Sequence, residues 1–327
     1  QPSDDLPKET DWWKYKIVKP PKLWTQIGLP INLFFDKPRP DVFFTPSHYG
    51  PRFCPCPSVI SVMDLSYLKY PELFKPNDLW QLKNWTEYSV KKAKKILTIS
   101  NSSKNDIIKY YGVKEEKVVV TYPGLTKVES MENIKKKYGI NGDYILSVGT
   151  LQPRKNYVRL IEAFGQMLDP RLRGDDTAAS VQLIIVGKKG WLYEEILAAP
   201  KKYGVENSVK FLDYVSDEDL PGLYQNAKCF ILISLYEGFG LPVLEAMSYS
   251  CPVIVSNVSS LPEVAGEAGV LVDPENTEEI ASKLLMVLKL SKKEREEMIK
   301  KGQEQAKKFS WEKCAKETLD VLQNINK

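Results

Sequence analysis

In the second half of the chain, short apolar runs rich in Val, Ile and Leu alternate with amphipathic segments of helical periodicity. We predict strands at residues 144–148, 181–186, 209–212, 229–233, 252–255 and 269–272. Helices are predicted at residues 157–168, 192–202, 217–225, 242–248, 277–289, 292–308 and 311–325. Strands that alternate with helices form βαβ units and a parallel sheet covered on both faces. Such a sheet binds ligands in a crevice at the carboxyl ends of its strands.

The first half shows the same alternation less regularly, with predicted strands at 42–45, 58–62, 96–99 and 117–121 and helices at 79–94 and 103–111. Ser102 or Ser103 is the expected cap of the second helix. This half is short for a complete doubly wound domain, and a missing N-terminal βα unit would explain that. The turn at residues 122–124 separates the halves. We therefore predict domains at 1–124 and 125–308 and a last segment at 309–327, with an exposed insertion loop at 169–180.

Size and composition indicate a globular protein of two domains. The chain has 327 residues, of which 43% are hydrophobic and 27% charged. No apolar run approaches the roughly 20 residues that span a bilayer, and the first residues do not resemble a signal peptide. Five cysteines, an odd number, favour free thiols in a reducing compartment. Free thiols indicate a cytoplasmic location. Cys54 and Cys56 have no second ligand pair and the chain has one histidine, so we expect no metal site.

Basic residues are concentrated in the first half, although the net charge of the whole chain is only +4. Residues 1–124 carry 19 Lys and Arg against 13 Asp and Glu, with a run of four lysines, interrupted by Ala93, at 91–95. Such a run most often forms a solvated helix surface. The alternative is peripheral contact of the N-terminal domain with an anionic membrane. Nucleic-acid binding is not expected, because no recognition motif accompanies the excess.

The strongest motif lies between residues 234 and 247, Ser-Leu-Tyr-Glu-Gly-Phe-Gly-Leu-Pro-Val-Leu-Glu-Ala-Met. A buried strand ends here, a glycine-rich turn follows, and a helix starts near Pro242. Free backbone N–H groups at the helix start favour an anion, and Gly238 and Gly240 allow close approach of a ligand. Glu237 lies on the turn and Glu245 about one helical turn beyond Leu241. The alternative is a capped helix with two solvated acids.

This motif resembles the retaining glycosyltransferases of family 4, which have the GT-B fold of two Rossmann-like α/β domains that face each other across a cleft. In that family two glutamates separated by seven residues flank such a turn. The resemblance implies that Glu237 contacts the transferred sugar and Glu245 the ribose hydroxyls. It also implies that backbone amides contact sugar hydroxyls or phosphate at Gly238, Phe239, Gly240 and Leu241.

A second motif, residues 147–156, lies between a predicted strand and a predicted helix. Arg154 and Lys155 can neutralise the charge of a departing diphosphate. The family has a lysine at the position of Lys155, whereas Thr150 occupies a place often held by arginine. Two exposed basic residues at a helix start are the alternative, which the helix dipole disfavours.

A third segment, residues 211–220, resembles the edge of the family's nucleobase site. The resemblance implies that backbone groups around Val215 pair with the base and that Leu220 packs against it. Gly187, after the preceding strand, is expected to line the same crevice. An ordinary passage from strand to helix, with Ser216 as the N-cap, is compatible with this interpretation.

In the N-terminal half, residues 58–67 resemble the family's His-Asp loop beside the reacting sugar, but Met63 replaces the histidine. Asp64 remains and is expected to orient the acceptor or the sugar. His48, the one histidine, follows another strand and is a candidate for the same cleft, although a structural role is the more common one. In GT-B proteins the last helix crosses back to the N-terminal domain, so Trp311 is expected to anchor that packing.

The resemblance implies transfer of a hexose from a nucleotide-diphosphate sugar to a glycan or lipid-linked acceptor, with retention at the anomeric carbon and without a metal or other cofactor. The sequence of residues 40–124 most resembles that of mannosyltransferases that build cell-surface polysaccharides. Two alternatives stay open at this point. One is a non-catalytic protein that binds a sugar nucleotide. The other is a GT-B enzyme of another reaction type, such as an epimerase; a phosphorylase would need a pyridoxal lysine site.

Overall fold

Two parallel sheets organise the protein, in a computed structural model that describes residues 7–19, 23–129, 133–170 and 180–325. The first has the order β1-β2-β3-β4 and consists of Phe43–Thr45, Ser58–Ser61, Lys95–Thr98 and Val118–Val120. The second has the order β10-β9-β8-β5-β6-β7. Its strands β5 to β10 are Tyr144–Val148, Gln182–Val186, Val209–Leu212, Cys229–Leu232, Val253–Ser256 and Gly269–Val272. Every predicted strand is confirmed to within one residue at either end.

Helices connect these strands. In chain order, α1 to α7 are Leu29–Phe35, Ser66–Lys69, Pro76–Lys92, Asn101–Tyr111, Ile134–Lys137, Tyr157–Leu168 and Glu194–Lys202. The remaining helices, α8 to α13, are Leu220–Asn226, Leu241–Ser248, Leu261–Ala265, Thr277–Leu288, Lys292–Ala306 and Trp311–Gln323. Most of the predicted insertion loop at 169–180, residues 171–179, lies outside the described residues.

Two predicted helix caps are wrong, at α4 and α8. The cap of α4 is Ser100, whose hydroxyl oxygen accepts a hydrogen bond from the Ser103 N–H at 3.0 Å, so Ser103 lies inside the helix. Before α8, residues 217–219 form a turn instead of the first helical residues. There the carbonyl oxygen of Ser216, not its side chain, accepts from the Leu220 N–H at 3.1 Å.

The central strands of the second sheet, β5, β6, β8 and β9, are buried on both faces, which explains why their residues are mostly apolar. One face packs against α8, α9, α10 and α12, and the other against α6, α7 and α11. Successive residues of a strand point to opposite faces. In β8, Phe230 therefore faces the first group of helices and Ile231 the second.

The strand order of the second sheet reverses between β5 and β8. From β5 the chain adds β6 and β7 on one side, and then returns to build β8, β9 and β10 on the other. All pairs are parallel. Connections leaving β5 and β8 therefore diverge, and a crevice opens between their carboxyl ends.

The first sheet and the helices that pack on it form the first unit, and the second sheet with its helices forms the second unit. The last helix joins the two units. Val59 and Leu97 on one face of the first sheet pack against Val321, Leu322 and Ile325 at the end of the chain. The other face packs against α3 and α4. Within the described residues, no helix is long and apolar enough to cross a bilayer.

Candidate functional site

A turn at residues 234–240 leads from β8 into α9 and brings the strongest sequence motif to the crevice. Gly240, directly before α9, has φ 112°, a backbone conformation that residues with a side chain rarely adopt. A Cβ atom at this position would lie 2.6 Å from Cδ2 of Leu261. Glycine is therefore required here both by the conformation and by the space.

Glu237, on this turn, is a buried carboxylate held by two cations. Lys155 Nζ donates to Glu237 Oε1 at 2.5 Å, and Arg154 Nη1 donates to Oε2 at 3.1 Å. The hydroxyl of Ser234 donates to Oε1 at 2.6 Å. Burial by itself raises the pKa of Glu237, but the two cations outweigh it and the pKa is lowered. Glu237 is therefore ionised at neutral pH.

The two cations come from the turn that follows β5, on the other side of the strand reversal. Asn156, at the end of this turn, has φ 62°, and its side-chain amide donates to the Ile233 carbonyl at 3.2 Å and to the Pro274 carbonyl at 2.7 Å. The Leu235 N–H donates to the Arg154 carbonyl at 2.9 Å. These contacts tie the turn after β5 to the turn after β8. These hydrogen bonds therefore fix the backbone of both turns, which carry the two cations and Glu237.

Glu245, the second carboxylate of the motif, lies in a neighbouring cavity of about 400 Å³. The Tyr224 hydroxyl donates to Glu245 Oε2 at 2.7 Å. Burial raises the pKa of Glu245, and the tyrosine hydrogen bond partly opposes this. Leu220, predicted to pack against a base, and Asp217 line the same cavity.

The remaining residues predicted to bind the nucleotide sugar lie around the carboxyl ends of β5, β6 and β7. Val215 is buried, and Thr150 is exposed beside Gly190. A Cβ atom at Gly187 would lie 2.1 Å from the Gly149 carbonyl oxygen, so close packing of the backbone already requires this glycine.

The turn at residues 234–240 is called the donor turn below, and Asp64 approaches it from the first unit. A Cβ atom at Gly238 would lie 3.0 Å from both Asp64 Cβ and the Met63 carbonyl oxygen. Asp64 accepts a hydrogen bond from the Ser66 N–H at 2.8 Å, which fixes its carboxylate. Asp64 and Glu237 line one cavity of about 520 Å³ between the two units.

His48 is not among the described residues that line this cavity. Its ring lies 6.1 Å from that of Tyr67, and its Nδ1 is buried without a hydrogen-bond partner. Burial lowers the pKa of His48, and the negative charge of Asp64 partly opposes this. The neutral ring is therefore buried beside Tyr67, apart from the residues that line the cavity.

The expectation that Trp311 anchors the returning helix is wrong. Trp311 is 49% exposed and lines both cavities, together with Leu241. Phe309 is the buried anchor, and its ring packs 5.4 Å from those of Tyr122 and Phe239. The Phe239 side chain is thus part of the core, which leaves its backbone as the part available to a ligand.

Sequence reasoning missed the contacts that α4 makes with the donor turn. The Tyr236 hydroxyl donates to Asp106 at 2.8 Å and accepts from the Leu65 N–H at 3.3 Å. The Ser103 hydroxyl lies 2.9 Å from the Met63 carbonyl and 3.4 Å from that of Gly238. No local pattern identifies these partners, because Tyr236 and Asp106 are 130 residues apart in sequence.

Two serines after β9 support the turn from the other side, and they were also missed. Ser259 Oγ accepts from the Glu237 N–H at 2.8 Å and donates to the Glu237 carbonyl at 2.6 Å. The Ser260 hydroxyl donates to the Phe239 carbonyl at 2.8 Å. The backbone of the donor turn is therefore held in place before any ligand arrives.

Possible metal ligands are dispersed in the described part of the chain. There, no group of three or more His, Cys, Asp or Glu side chains is arranged to hold an ion. Cys54 and Cys56 have their sulfur atoms 3.6 Å apart as free thiols, far enough to exclude a disulfide. Burial, followed by the neighbouring Cys54, raises the pKa of Cys56 to about 12, which makes it a weak ligand at neutral pH.

Two family models match the chain. The model described as glycosyl transferases group 1 matches residues 130–305, and that described as glycosyltransferase family 4 matches residues 12–126. The first contains both cations and both motif glutamates, and the second contains Asp64 and His48.

Individual proteins are similar over much of the chain. O-antigen chain mannosyltransferase B of Escherichia coli is 34% identical over 271 residues, which are 81% of this chain and 69% of that protein. The serotype-specific mannosyltransferase WbdA of the same organism is 31% identical over 199 residues, or 58% of this chain but only 24% of the longer protein. Sucrose-phosphate synthase of Thermosynechococcus elongatus has a similar structure, with a TM-score of 0.72 and 18% identity over 90% of this chain and 76% of that one. The predicted GT-B fold is thereby confirmed.

Proposed function

Because the chain belongs to the group 1 glycosyl transferases, we propose that it moves a hexose, with mannose favoured, from a nucleotide-diphosphate sugar to an acceptor hydroxyl. The acceptor is a glycan or a lipid-linked glycan in the synthesis of cell-surface material. Mannose and this setting are supported by the mannosyltransferases that resemble the chain. The observation that carries the proposal is the buried cluster of Glu237, Lys155 and Arg154 at the strand reversal.

This cluster suits cleavage of a sugar–phosphate bond. As that bond breaks, negative charge grows on the departing diphosphate, and the cations Lys155 and Arg154 stabilise it. Both side chains are mostly shielded from water, which strengthens their electrostatic effect. Glu237 is ionised and keeps the cations in position before the donor binds. It is then the carboxylate nearest to the transferred sugar.

The proposed reaction retains the anomeric configuration. The acceptor oxygen attacks on the face from which the diphosphate leaves, and the departing phosphate takes up the acceptor proton. Asp64, across the cavity from Glu237, orients the acceptor or the sugar. Glu245 binds the ribose hydroxyls in the neighbouring cavity, whose lining by Leu220 supports placing the base there. No metal or other cofactor is included in this proposal.

Donor binding and turnover test the proposal together. We expect one class among UDP-, GDP- and ADP-sugars to raise the melting temperature of the wild type, because a ligand that binds the folded state stabilises it. Lys155→Ala should abolish that shift. Lys300→Ala, at an exposed lysine of α12, is the matched control and should retain it.

Turnover separates the enzyme from a protein that only binds. The wild type should release nucleoside diphosphate and form a glycosidic product, and Glu237→Ala should lose at least about 100-fold in rate. A donor-induced shift without release of nucleoside diphosphate would contradict the proposal and favour the non-catalytic alternative. Conversion of the donor sugar without acceptor would favour an epimerase.

We also propose that the first unit contacts an anionic membrane through a basic groove of about 1000 Å³ at the amino ends of its strands. The groove is lined by several basic side chains and two exposed phenylalanines: Arg52, Lys92, Lys94, Lys95, Lys114, Lys117, Phe34 and Phe53. Positive charge next to aromatic rings favours an anionic lipid surface. Co-sedimentation with vesicles containing phosphatidylglycerol tests this. Lys92→Glu with Lys94→Glu should abolish it, whereas Lys300→Glu and vesicles of neutral lipid provide the controls.

A further inference from the structure

A third cavity lies at the boundary between the two units and contains none of the residues assigned to the donor site. It has a volume of about 470 Å³ and is formed by both units. The first unit contributes residues 72–75 and Asp78, and the second contributes Trp191 and Leu192. The Trp191 side chain is 42% exposed, and its ring lies 6.3 Å from that of Phe74 across the domain boundary.

This cavity lies on the opposite side of the cleft from the proposed nucleotide site. Trp191 leads into α7, which packs on the same face of the second sheet as α6 and α11. Glu245 and Leu220 belong to α9 and α8, on the other face. A nucleotide that extends from Glu237 towards Glu245 therefore runs away from Trp191. A molecule approaching from the Trp191 side meets the sugar without crossing the nucleotide.

Tyr70 connects the third cavity with the donor turn. Its hydroxyl donates to the Leu235 carbonyl at 3.2 Å, and its ring lies 6.3 Å from that of Tyr236, next to Glu237. Burial raises the pKa of the Tyr70 hydroxyl, as do the nearby carboxylates of Glu275 and Glu72. Glu72, which lines the third cavity, follows Tyr70 by two residues. Tyr70 therefore lies between the donor turn, which it contacts at Leu235 and Tyr236, and the segment that carries Glu72.

The side chains that line the cavity are suited to bind a neutral ligand rich in hydroxyl groups. The exposed Trp191 and the half-buried Phe74, which line the cavity, offer flat apolar surfaces to the C–H groups of a pyranose ring. Glu72 and Asp78 accept hydrogen bonds from hydroxyl groups. These two carboxylates stand against a single cation, Lys75, so an anion such as a phosphate or a nucleotide is disfavoured.

We propose that this cavity binds a sugar residue of the acceptor glycan that is remote from the reacting hydroxyl. Trp191 stacks against that residue, and Glu72 and Asp78 bind its hydroxyls. The inference rests on the proposed glycosyl transfer, because it assigns an acceptor to the same cleft. It predicts preference for an acceptor long enough to extend from the sugar beside Glu237, past Tyr70, to Trp191.

Acceptors of two lengths test the proposal. We would measure transfer from the donor found in the thermal screen to methyl α-mannoside and to an α-linked mannotetraose. In the wild type the KM of the tetraose should be the lower of the two. Trp191→Ala should raise the KM of the tetraose about tenfold, leave that of methyl α-mannoside within about twofold, and leave donor KM unchanged. Trp191→Phe should recover part of the loss, because it restores an aromatic face.

Trp80→Ala is the matched control, because Trp80 is an exposed tryptophan of α3 that does not line the cavity. Equal KM values for both acceptors in the wild type, or an equal effect of Trp191→Ala on both, would overturn the subsite. Binding is also read without catalysis, from tryptophan fluorescence during titration with the tetraose. If the wild type binds the tetraose through Trp191 but turns over no donor, the proposed function fails and the subsite stands. If the tetraose does not bind, the subsite fails.

Discussion

Glu263 of α10 accepts a hydrogen bond from the backbone N–H of Asn101, the first residue of α4, with both carboxylate oxygens 3.0 Å from that nitrogen. The Asn101 side chain donates to the same carboxylate at 2.7 Å, and the Tyr122 hydroxyl is a further donor. A carboxylate at the start of a helix interacts favourably with the helix dipole. Glu263 therefore fixes the first unit against the second, beside the donor turn.

Replacing Glu263 by Ala should weaken this docking. We expect the free energy of unfolding to fall by about 1–3 kcal/mol, because several hydrogen bonds to a charged group are lost. Transfer should fall more than donor binding, since the donor site belongs to the second unit. Chemical denaturation and initial rates measure the two effects. Glu267→Ala, at an exposed carboxylate nearby, is the control; equal behaviour of the two variants would contradict the assigned role.

Gly238→Ala should separate donor binding from transfer in another way. The added methyl group would lie 3.0 Å from Asp64 Cβ and from the Met63 carbonyl oxygen, so the loop of the first unit must move away. We expect the rate of transfer to fall by about tenfold or more while the donor still raises the melting temperature. Gly165→Ala in α6, with its nearest contact at 3.4 Å, is the control. Loss of donor binding in Gly238→Ala would contradict the prediction.

The parts of the site that are local in sequence could be predicted. Glu237 follows β8 by a few residues, and Arg154 and Lys155 follow β5, so strand assignment alone places all three at one edge of the sheet. The central strands of the second sheet were predictable because both of their faces are buried and their residues are mostly apolar.

Contacts between the units could not be predicted in this way. Asn101 and Glu263 are 162 residues apart, and neither belongs to a periodic pattern that indicates its partner. The expectation that Trp311 is the anchor failed for a related reason. Phe309 and Trp311 are large apolar residues on either side of the helix start, and which one is buried depends on Tyr122 and Phe239, which are distant in sequence.

The two motif glutamates should make stability depend on pH with opposite sign. The pKa of Glu237 is lowered, so its contribution to stability is present above the ordinary glutamate value of 4.5 and is lost as pH falls through the folded value. The pKa of Glu245 is raised, so its contribution is present below 4.5 and is lost as pH rises through the folded value.

Denaturation of two glutamine variants between pH 3 and 8 measures this difference. Glu237→Gln should lose about 3–5 kcal/mol at pH 7, because Lys155 and Arg154 lose a buried partner, and less at pH 3. Glu245→Gln keeps an acceptor for Tyr224 and should be more stable than the wild type at pH 8, but not at pH 4. The same pH dependence in both variants would refute the assigned charge states.

Tyr236 and Asp106 should act as a coupled pair. Tyr236→Phe removes the hydroxyl that donates to Asp106 and accepts from the Leu65 N–H, and Asp106→Ala removes the same link from the other side. If the link positions the donor turn against Asp64, the two substitutions together should cost little more transfer activity than either alone. We expect a coupling energy of about 1–2 kcal/mol in transfer and none in donor binding. Asp106→Asn, which retains an acceptor, should recover part of the activity; additive effects on transfer would show that the two residues act independently.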